Sequence, residues 1–206
     1  MIINKSTSSA SNKKVRGINR ATIKGGINSR LLERKVDNKD SQGTCVFISH
    51  RSTDKKEAVA IANYIRDCGI DVYIDVDDNG LQIATVKDDS ESIVNHIHNG
   101  LMLSTHILAL ISDDTRESWW VPYEIGYGEK SGKKIASMLL EQGEVDCFPD
   151  YLKIVERLFS VADFVDFVKK LVKSQSNYGG IFADTHPFKL PDTSIVSRYI
   201  KEVKHI

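Results

Sequence analysis

Short, mostly apolar runs alternate with amphipathic helical segments along the middle of this chain, and this alternation restricts its fold more than any other feature. A continuous apolar run is typical of a strand that is buried on both faces. The predicted strands span residues 45–48, 70–74, 107–111, 135–140 and, with a weaker pattern, 158–161. Alternation of such strands with helices predicts an α/β fold, with a central parallel five-stranded sheet between two layers of helices.

Between the strands, apolar residues recur at the spacing of a helix. The first helix is predicted to begin at Asp54, where Glu57 completes an acidic variant of the capping box, and to end at Gly69. Further helices are predicted at residues 29–34, 90–101, 118–130, 164–171 and 195–203. The segment 75–89 is polar, and we expect it to be a long loop.

The predicted arrangement is flavodoxin-like, and in such folds ligands bind beyond the carboxyl ends of the strands. The polar segment 49–53 follows the first predicted strand, and Asp75 follows the second. We therefore expect a ligand site where these two segments meet.

The chain has 206 residues, which suits one domain with appendages. Residues 1–43 are basic and polar, and we expect an arm that buries little. Residues 44–175 carry the strand and helix pattern, and 176–206 form a C-terminal extension. The 28 basic residues balance the 28 acidic ones, which argues against a broad surface for nucleic acid or for an anionic membrane.

Three widely spaced cysteines, Cys45, Cys68 and Cys147, form no CxxC pair. Free thiols in a reducing compartment are the favoured interpretation. No apolar segment follows the early lysines, and the apolar runs are too short to span a bilayer. These features predict a soluble, cytoplasmic protein.

Three blocks of the sequence resemble the Toll/interleukin-1 receptor (TIR) family, and they occur in the family's order. Residues 46–52, Val-Phe-Ile-Ser-His-Arg-Ser, are similar to its opening strand and following loop, with His50 in place of the usual aromatic residue. Residues 69–75, Gly-Ile-Asp-Val-Tyr-Ile-Asp, match the second strand and the start of the so-called BB loop. Residues 120–124, Trp-Val-Pro-Tyr-Glu, resemble the W-x-x-x-E element in the active-site helix of bacterial TIR-type NADases. The loop after Asp75 departs from the family pattern, so the resemblance assigns no contacts there.

This resemblance implies cleavage of NAD⁺, with Glu124 as the catalytic residue. Departure of nicotinamide develops positive charge on the anomeric carbon of the ribose, and a carboxylate can stabilise that charge. Nicotinamide leaves as a neutral pyridine, so one carboxylate suffices. The alternative for Glu124 is a solvated residue near a helix N-terminus.

Trp120 lies one helical turn before Glu124 and is a candidate for positioning the nucleotide, with packing as its alternative. For Trp119 we expect core or inter-domain packing. The other candidate substrate-binding residues are Phe47, Ser49, His50, Arg51, Ser52 and Asp75. Among them, Arg51 is suited to pairing with a pyrophosphate and His50 to stacking on a base or ribose. Capping or purely structural roles are the alternatives for these loop residues and for Asp75.

No metal site or resident cofactor is predicted, and NAD⁺ enters as substrate. His96 and His98 lie two residues apart on a predicted helix, so they point in different directions and cannot share a metal ion. Gly126 and Gly128 do not follow a strand and therefore form no dinucleotide-binding fingerprint.

By resemblance, a free-standing TIR enzyme produces a cyclic or modified ADP-ribose that signals to a separate effector protein, as in Thoeris-like anti-phage defence. The sequence does not distinguish hydrolysis from cyclisation. Two rivals remain open, a non-catalytic adaptor that works by TIR–TIR assembly and a toxin that depletes NAD⁺. A nucleoside-processing enzyme of the same fold would need a second carboxylate that the sequence does not place. Self-association through the BB loop is expected, and no nucleic-acid or membrane partner is.

Overall fold

The computed structural model describes residues 16–22, 43–176 and 190–203. Five strands form one sheet in the order β2-β1-β3-β4-β5, and all neighbours in it are parallel. The strands are β1 Cys45–Ser49, β2 Asp71–Tyr73, β3 His106–Ile111, β4 Lys134–Leu139 and β5 Glu156–Leu158. The predicted α/β, flavodoxin-like fold with a parallel five-stranded sheet is confirmed.

Helices cover both faces of this sheet. In the described residues they are α1 Lys55–Asp67, α2 Asn79–Val86, α3 Ser90–Met102, α4 Trp120–Lys130, α5 Asp150–Lys153, α6 Val161–Ser176 and α7 Ser194–Ser197. One apolar core lies between the sheet and helices α1, α6 and α7. A second core lies between the opposite face and helices α3, α4 and α5. The strands are buried on both sides, which explains their continuous apolar runs.

The segment after β2 is not the long loop that the sequence predicted, because α2 occupies much of it. Asp78 caps this helix by accepting hydrogen bonds from the backbone N–H groups of Gly80 and Leu81, at 3.0 and 3.1 Å. Ile83 and Val86 are exposed. The helix therefore shows no clear apolar stripe, and the sequence pattern missed it.

The predicted capping box at Asp54 is wrong. Asp54 precedes α1 but caps it with no side-chain hydrogen bond. Its buried carboxylate instead accepts hydrogen bonds from Ser112 Oγ at 2.7 Å and from Gln142 Nε2 at 3.2 Å. These two partners follow β3 and β4, so Asp54 links three parts of one sheet edge.

The predicted end of the helix at Gly69 is confirmed, because its φ of 85° is the left-handed conformation of a helix C′ residue.

The fifth strand ends earlier than predicted, at Leu158. Ser160 already begins the next helix, because its Oγ accepts a hydrogen bond from the backbone N–H of Asp163 at 3.0 Å. The Asp163 carboxylate in turn accepts one from the N–H of Phe159, also at 3.0 Å. These two hydrogen bonds, one accepted by Ser160 and one by Asp163, thus set the boundary between strand and helix.

The C-terminal helix is shorter than the predicted 195–203 and spans only Ser194–Ser197. Beyond it the chain is extended. Ile200 forms an antiparallel bridge with Leu140, and the Val203 N–H donates to the Phe159 carbonyl at 2.8 Å.

The predicted helix at 29–34 and the Cys147 side chain lie outside the described residues. Across the described ranges, no helix is long and apolar enough to cross a membrane.

Residues 16–22 belong to the packed fold, so the expectation that all of residues 1–43 bury little is wrong for this stretch. Arg20 is 2 % exposed and its guanidinium donates to the Asp71 carboxylate at 3.0 and 3.1 Å. It also donates to the carbonyls of Leu103 at 2.5 Å and Gly43 at 2.9 Å. Four hydrogen bonds of this kind satisfy a charge that would otherwise be costly to bury.

We predict that Arg20→Ala lowers the free energy of unfolding by about 3–5 kcal/mol, because it leaves the buried Asp71 carboxylate without its partner. The matched control is Arg16→Ala. Arg16 pairs with Asp67 at the surface, with side chains 49 % and 42 % exposed, so its loss costs at most about 1 kcal/mol. Chemical denaturation of both variants measures the difference. Equal effects would show that the Arg20 ion pair does not stabilise the domain.

Candidate active site

The candidate site lies at the edge of the sheet where β1 and β2 end and α4 passes. Ser49 is the last residue of β1, and Asp75 opens the short turn Asp75–Asp77 after β2. Glu124 lies in α4. Parallel strands bring their carboxyl ends to the same edge, which is why two segments distant in sequence meet here.

Glu124 is buried beneath this edge, with 7 % of the residue exposed. Ser49 Oγ donates a hydrogen bond to its Oε2 at 2.6 Å. Burial raises the pKa of Glu124 from 4.5 to about 8. The Ser49 hydrogen bond opposes this shift, and the charge of Asp75 adds to it. The carboxyl group is therefore largely protonated at neutral pH in the free protein.

Asp75 and His50 form the second element of the site. The His50 side chain is 3 % exposed, and its Nε2 lies 3.6 Å from Asp75 Oδ1. His50 Nδ1 is 3.2 Å from the Ile48 carbonyl. A carbonyl only accepts, so Nδ1 is the donor in this contact. Burial raises the pKa of Asp75, and His50 opposes that shift.

Asp75 Oδ1 is buried and has no hydrogen-bond partner among the described residues. Buried polar atoms in folded proteins are nearly always paired, so such an exception calls for an explanation. An acceptor of this kind, next to Glu124, is suited to receive a hydroxyl or amide donor from a ligand.

The two tryptophans at the start of α4 differ in environment. Trp120 is 40 % exposed and meets the Tyr123 ring edge-on, with ring centroids 5.9 Å apart. Trp119 is 90 % exposed, so the prediction that it packs in the core is wrong. Both indoles thus present apolar surface to solvent. Along the chain they lie about one helical turn before Glu124.

Arg51 lies at the rim of the site, in contact with the turn that follows β3. Its guanidinium donates to the Asp114 carbonyl and to Glu117 Oε2, the latter at 3.0 Å. An exposed ion pair of this kind is weak. Ser52 is exposed in the turn Ser52–Asp54. Binding of a ligand by these two residues stays a prediction.

Phe47 does not line an open site, which corrects its assignment as a substrate-binding residue. It is 2 % exposed and stacks on Tyr73 with ring centroids 5.4 Å apart and planes 5° apart. Phe47 lies in the middle of β1, one pleat below Ser49, so its side chain belongs to the core on the α3 and α4 side.

Sequence reasoning missed a polar cluster of Tyr73, Asp78 and His96 beside the site. Tyr73 Oη donates to Asp78 Oδ2 at 2.5 Å, and His96 Nδ1 lies 3.1 Å from the same oxygen. His98 instead contacts Tyr123 Oη at 2.6 Å, so the two histidines have different partners, as their spacing predicts. Asp78 itself was the available signal, because aspartate is a preferred residue at a helix N-cap.

Two glycines leave space for this cluster. A Cβ on Gly80 would lie 2.1 Å from His96 Cε1, and one on Gly100 would lie 2.4 Å from Tyr73 Cε1. Side chains at either position would displace these rings. In the described ranges, no group of three or more histidine, cysteine, aspartate or glutamate side chains is arranged to hold a metal ion.

The raised pKa of Glu124 makes stability depend on pH. Between pH 4.5 and about 8 the folded protein holds a proton on Glu124 that the unfolded chain has released. The free energy of unfolding therefore falls as pH rises through this window, by at most about 1.4 kcal/mol per pH unit. We predict that Glu124→Gln removes this contribution, so that its stability relative to the wild type increases with pH.

Denaturation of wild type and Glu124→Gln at a series of pH values measures the effect. Glu129→Gln is the matched control, because Glu129 is exposed on the same helix. A stability difference between wild type and Glu124→Gln that is constant with pH would contradict the assignment of a buried, protonated carboxyl.

Comparisons with known proteins identify the family of this chain. A family model described as a TIR domain matches residues 46–177, more than half of the chain. A protein of Bacillus cereus (strain MSX-D12), described as a probable 3′ cyclic ADP-D-ribose synthase ThsB′, is 25 % identical over 118 residues. That alignment covers 56 % of this chain, and the chain spans only 60 % of the length of that relative. The parallel sheet, the site at its carboxyl edge and the matched family model together establish that this chain belongs to the TIR domain family.

Proposed function

We propose that this protein is an NAD⁺ nucleosidase or ADP-ribosyl cyclase, with Glu124 as its catalytic residue. The observation that carries the proposal is the buried Glu124 carboxyl, held by Ser49 Oγ at 2.6 Å at the ligand-binding edge of a TIR domain. Catalytic groups commonly have a pKa that burial has shifted, as the pKa of this carboxyl group is.

In the proposed reaction the bond between the ribose C1′ and the nicotinamide nitrogen breaks, and its electron pair leaves with nicotinamide. Positive charge develops on C1′ and the ring oxygen. The Glu124 carboxylate stabilises this charge, directly or through a ribose hydroxyl. Attack by water on C1′ then gives ADP-ribose and a proton, whereas attack by a hydroxyl or ring nitrogen of the same molecule gives a cyclic product and a proton.

Substrate binding itself promotes the active form of Glu124. The nicotinamide ring of NAD⁺ is a cation, and an adjacent positive charge favours ionisation of a carboxyl group. A carboxyl that is protonated in the free protein thus ionises when the substrate brings its charge. The low polarity around Glu124 then strengthens its attraction for the charge on C1′.

The remaining site residues receive supporting roles. Asp75 Oδ1, which is buried and accepts no hydrogen bond from the described residues, accepts one from a ribose hydroxyl of the substrate. Trp120 covers the reacting centre with its partly exposed ring. Arg51 exchanges its surface contact with Glu117 for a bidentate contact with the pyrophosphate. His50, Ser49 and Ser52 complete the binding edge, and Phe47 supports it from the core.

The relative described as a probable cyclic ADP-D-ribose synthase favours cyclisation over hydrolysis. In this proposal the product is a cyclic ADP-ribose signal for a separate effector protein in bacterial anti-phage defence. In this proposal the TIR domain spans 44–175 within a cytoplasmic protein, and residues 16–22 pack against it.

A second candidate function, a non-catalytic adaptor, is favoured by apolar surface on two helices. Ile83 and Val86 on α2 are 55 % and 88 % exposed, and Trp119 beside α4 is 90 % exposed. Contiguous exposed apolar surface marks contact sites, and Ile83 and Val86 are neighbours on one face of α2. Helix α2 lies in the segment that follows β2, which the resemblance relates to TIR–TIR assembly. Self-association through this segment is also part of the enzymatic proposal.

The test of the enzymatic proposal is incubation of the purified protein with NAD⁺, followed by chromatography and mass analysis. We expect nicotinamide release by the wild type and by Glu129→Gln. Glu124→Gln should lose at least about a hundredfold in rate, because a neutral amide cannot stabilise the developing cation. The partner product identifies the pathway, since the cyclic form is lighter than linear ADP-ribose by one water.

Failure of the wild type to release nicotinamide at high protein concentration, with unchanged cellular function of Glu124→Gln, would contradict the enzyme and support the adaptor.

The pH dependence of the reaction provides a sharper prediction. The acid limb of kcat/KM reports the free enzyme, so we expect it near pH 8, the pKa of Glu124. The acid limb of kcat reports the complex and should lie at lower pH, because the nicotinamide cation lowers the pKa of the carboxyl group. Initial rates over a range of pH and substrate concentration separate the two. Coincident limbs would refute substrate-assisted ionisation.

A further inference from the structure

We infer that Asn19, which lies outside the matched TIR region 46–177, is a positioning residue that fixes the turn carrying Asp75. This inference rests on the proposed function for its catalytic consequence. It concerns a segment that the sequence assigned to a peripheral arm.

The Asn19 side chain spans the turn Asp75–Asp77. Its Oδ1 accepts from the backbone N–H of Ile74 at 3.2 Å, and its Nδ2 donates to the Ile74 carbonyl at 3.4 Å. The same Nδ2 donates to Asp77 Oδ2 at 2.9 Å. Oδ1 also accepts from the N–H of Ala21 at 3.1 Å. The amide thus holds the residue before Asp75 and the last residue of the turn.

The backbone of Asn19 is fixed independently of that turn. Asn19 forms a parallel bridge with Val72 of β2, and the Val72 N–H donates to the Ile18 carbonyl at 3.0 Å. The Ile18 N–H donates to Asp71 Oδ1 at 3.1 Å. Arg20, the next residue, is anchored to Asp71 Oδ2. The amide therefore acts from a rigid support, which is what positioning a catalytic group requires.

The far end of the turn has its own support in Asp78, which caps α2 and accepts from Tyr73 Oη. Asn19 secures the near end, and Asp75 lies between the two. With both ends fixed, Asp75 Oδ1 stays 3.6 Å from His50 Nε2. Loss of the Asn19 contacts would free Ile74 and Asp77 together and let the Asp75 carboxyl leave this position.

Exchange of the interacting groups provides the test. Asn19→Asp keeps the shape and the Oδ1 acceptor, but it removes both N–H donors and places a second carboxylate against Asp77. Adding Asp77→Asn restores a donor across the same contact with the roles reversed. The control is Arg16→Ala, which removes a surface contact of the same segment with Asp67 and Asn63 on α1.

Two measurements are made on the full chain. Hydrogen–deuterium exchange of the peptide covering residues 73–81 reports the turn without any substrate. We expect faster exchange there in Asn19→Asp, protection regained in the double variant, and no change in Arg16→Ala.

Steady-state kinetics with NAD⁺ should show kcat/KM lowered roughly 10- to 100-fold in Asn19→Asp, recovered in the double variant and unchanged in Arg16→Ala.

Unchanged exchange in Asn19→Asp would overturn the inference. Faster exchange with unchanged kcat/KM would also overturn it, because the turn would then not need Asn19 for catalysis. Absence of recovery in the double variant would show that the contact between residues 19 and 77 does not fix the turn, and it would overturn the inference. If wild type itself releases no nicotinamide, the proposed function fails, and the exchange data alone decide whether Asn19 fixes the turn. If Asn19→Asp does not fold, Asn19→Ala takes its place in both measurements.

Discussion

The parallel direction of all five strands is the constraint on which the rest of this structure depends. Because their carboxyl ends share one edge, polar residues that follow separate strands become neighbours. Ser49 at the end of β1 reaches Glu124, Asp75 after β2 reaches His50, and Asp54 accepts from Ser112 after β3. The core on both faces consists of aliphatic and aromatic side chains that any similar fold could use. The residues of the candidate site are confined to the edge.

Periodicity predicted the strands and most of the helices, because both kinds of element depend on repeated burial of apolar residues. It missed α2, whose apolar residues Ile83 and Val86 face solvent. It misplaced Trp119 for a related reason, since an indole is usually buried but this one is 90 % exposed. Family resemblance supplied Glu124 from local sequence. Its pKa, however, depends on burial and on Asp75, some fifty residues earlier, and local sequence does not specify such an environment.

The contributions of single polar residues were the hardest to predict. Asn19 and Arg20 lie in a stretch whose composition is typical of a solvated arm, yet both are 2 % exposed. Arg20 is accommodated inside because the Asp71 carboxylate and two backbone carbonyls accept hydrogen bonds from its guanidinium. Asp54 has the sequence signature of a helix cap but joins two loops instead. In each case the role of the residue is determined by a partner that is distant in sequence. The spacing of residues along the chain does not identify that partner.

The strap formed by residues 17–19 also changes how this molecule meets other proteins. An uncovered edge strand is a template for pairing with strands of other chains, which leads to aggregation. Along β2 that template is already used, because Val72 pairs with Asn19. At the opposite edge, β5 is only three residues long, and Glu156 on it pairs with Lys170. In the described part of the chain, both borders of the sheet are thus guarded against strand addition. Pairing of strands between copies of this domain is therefore disfavoured at both edges of the sheet.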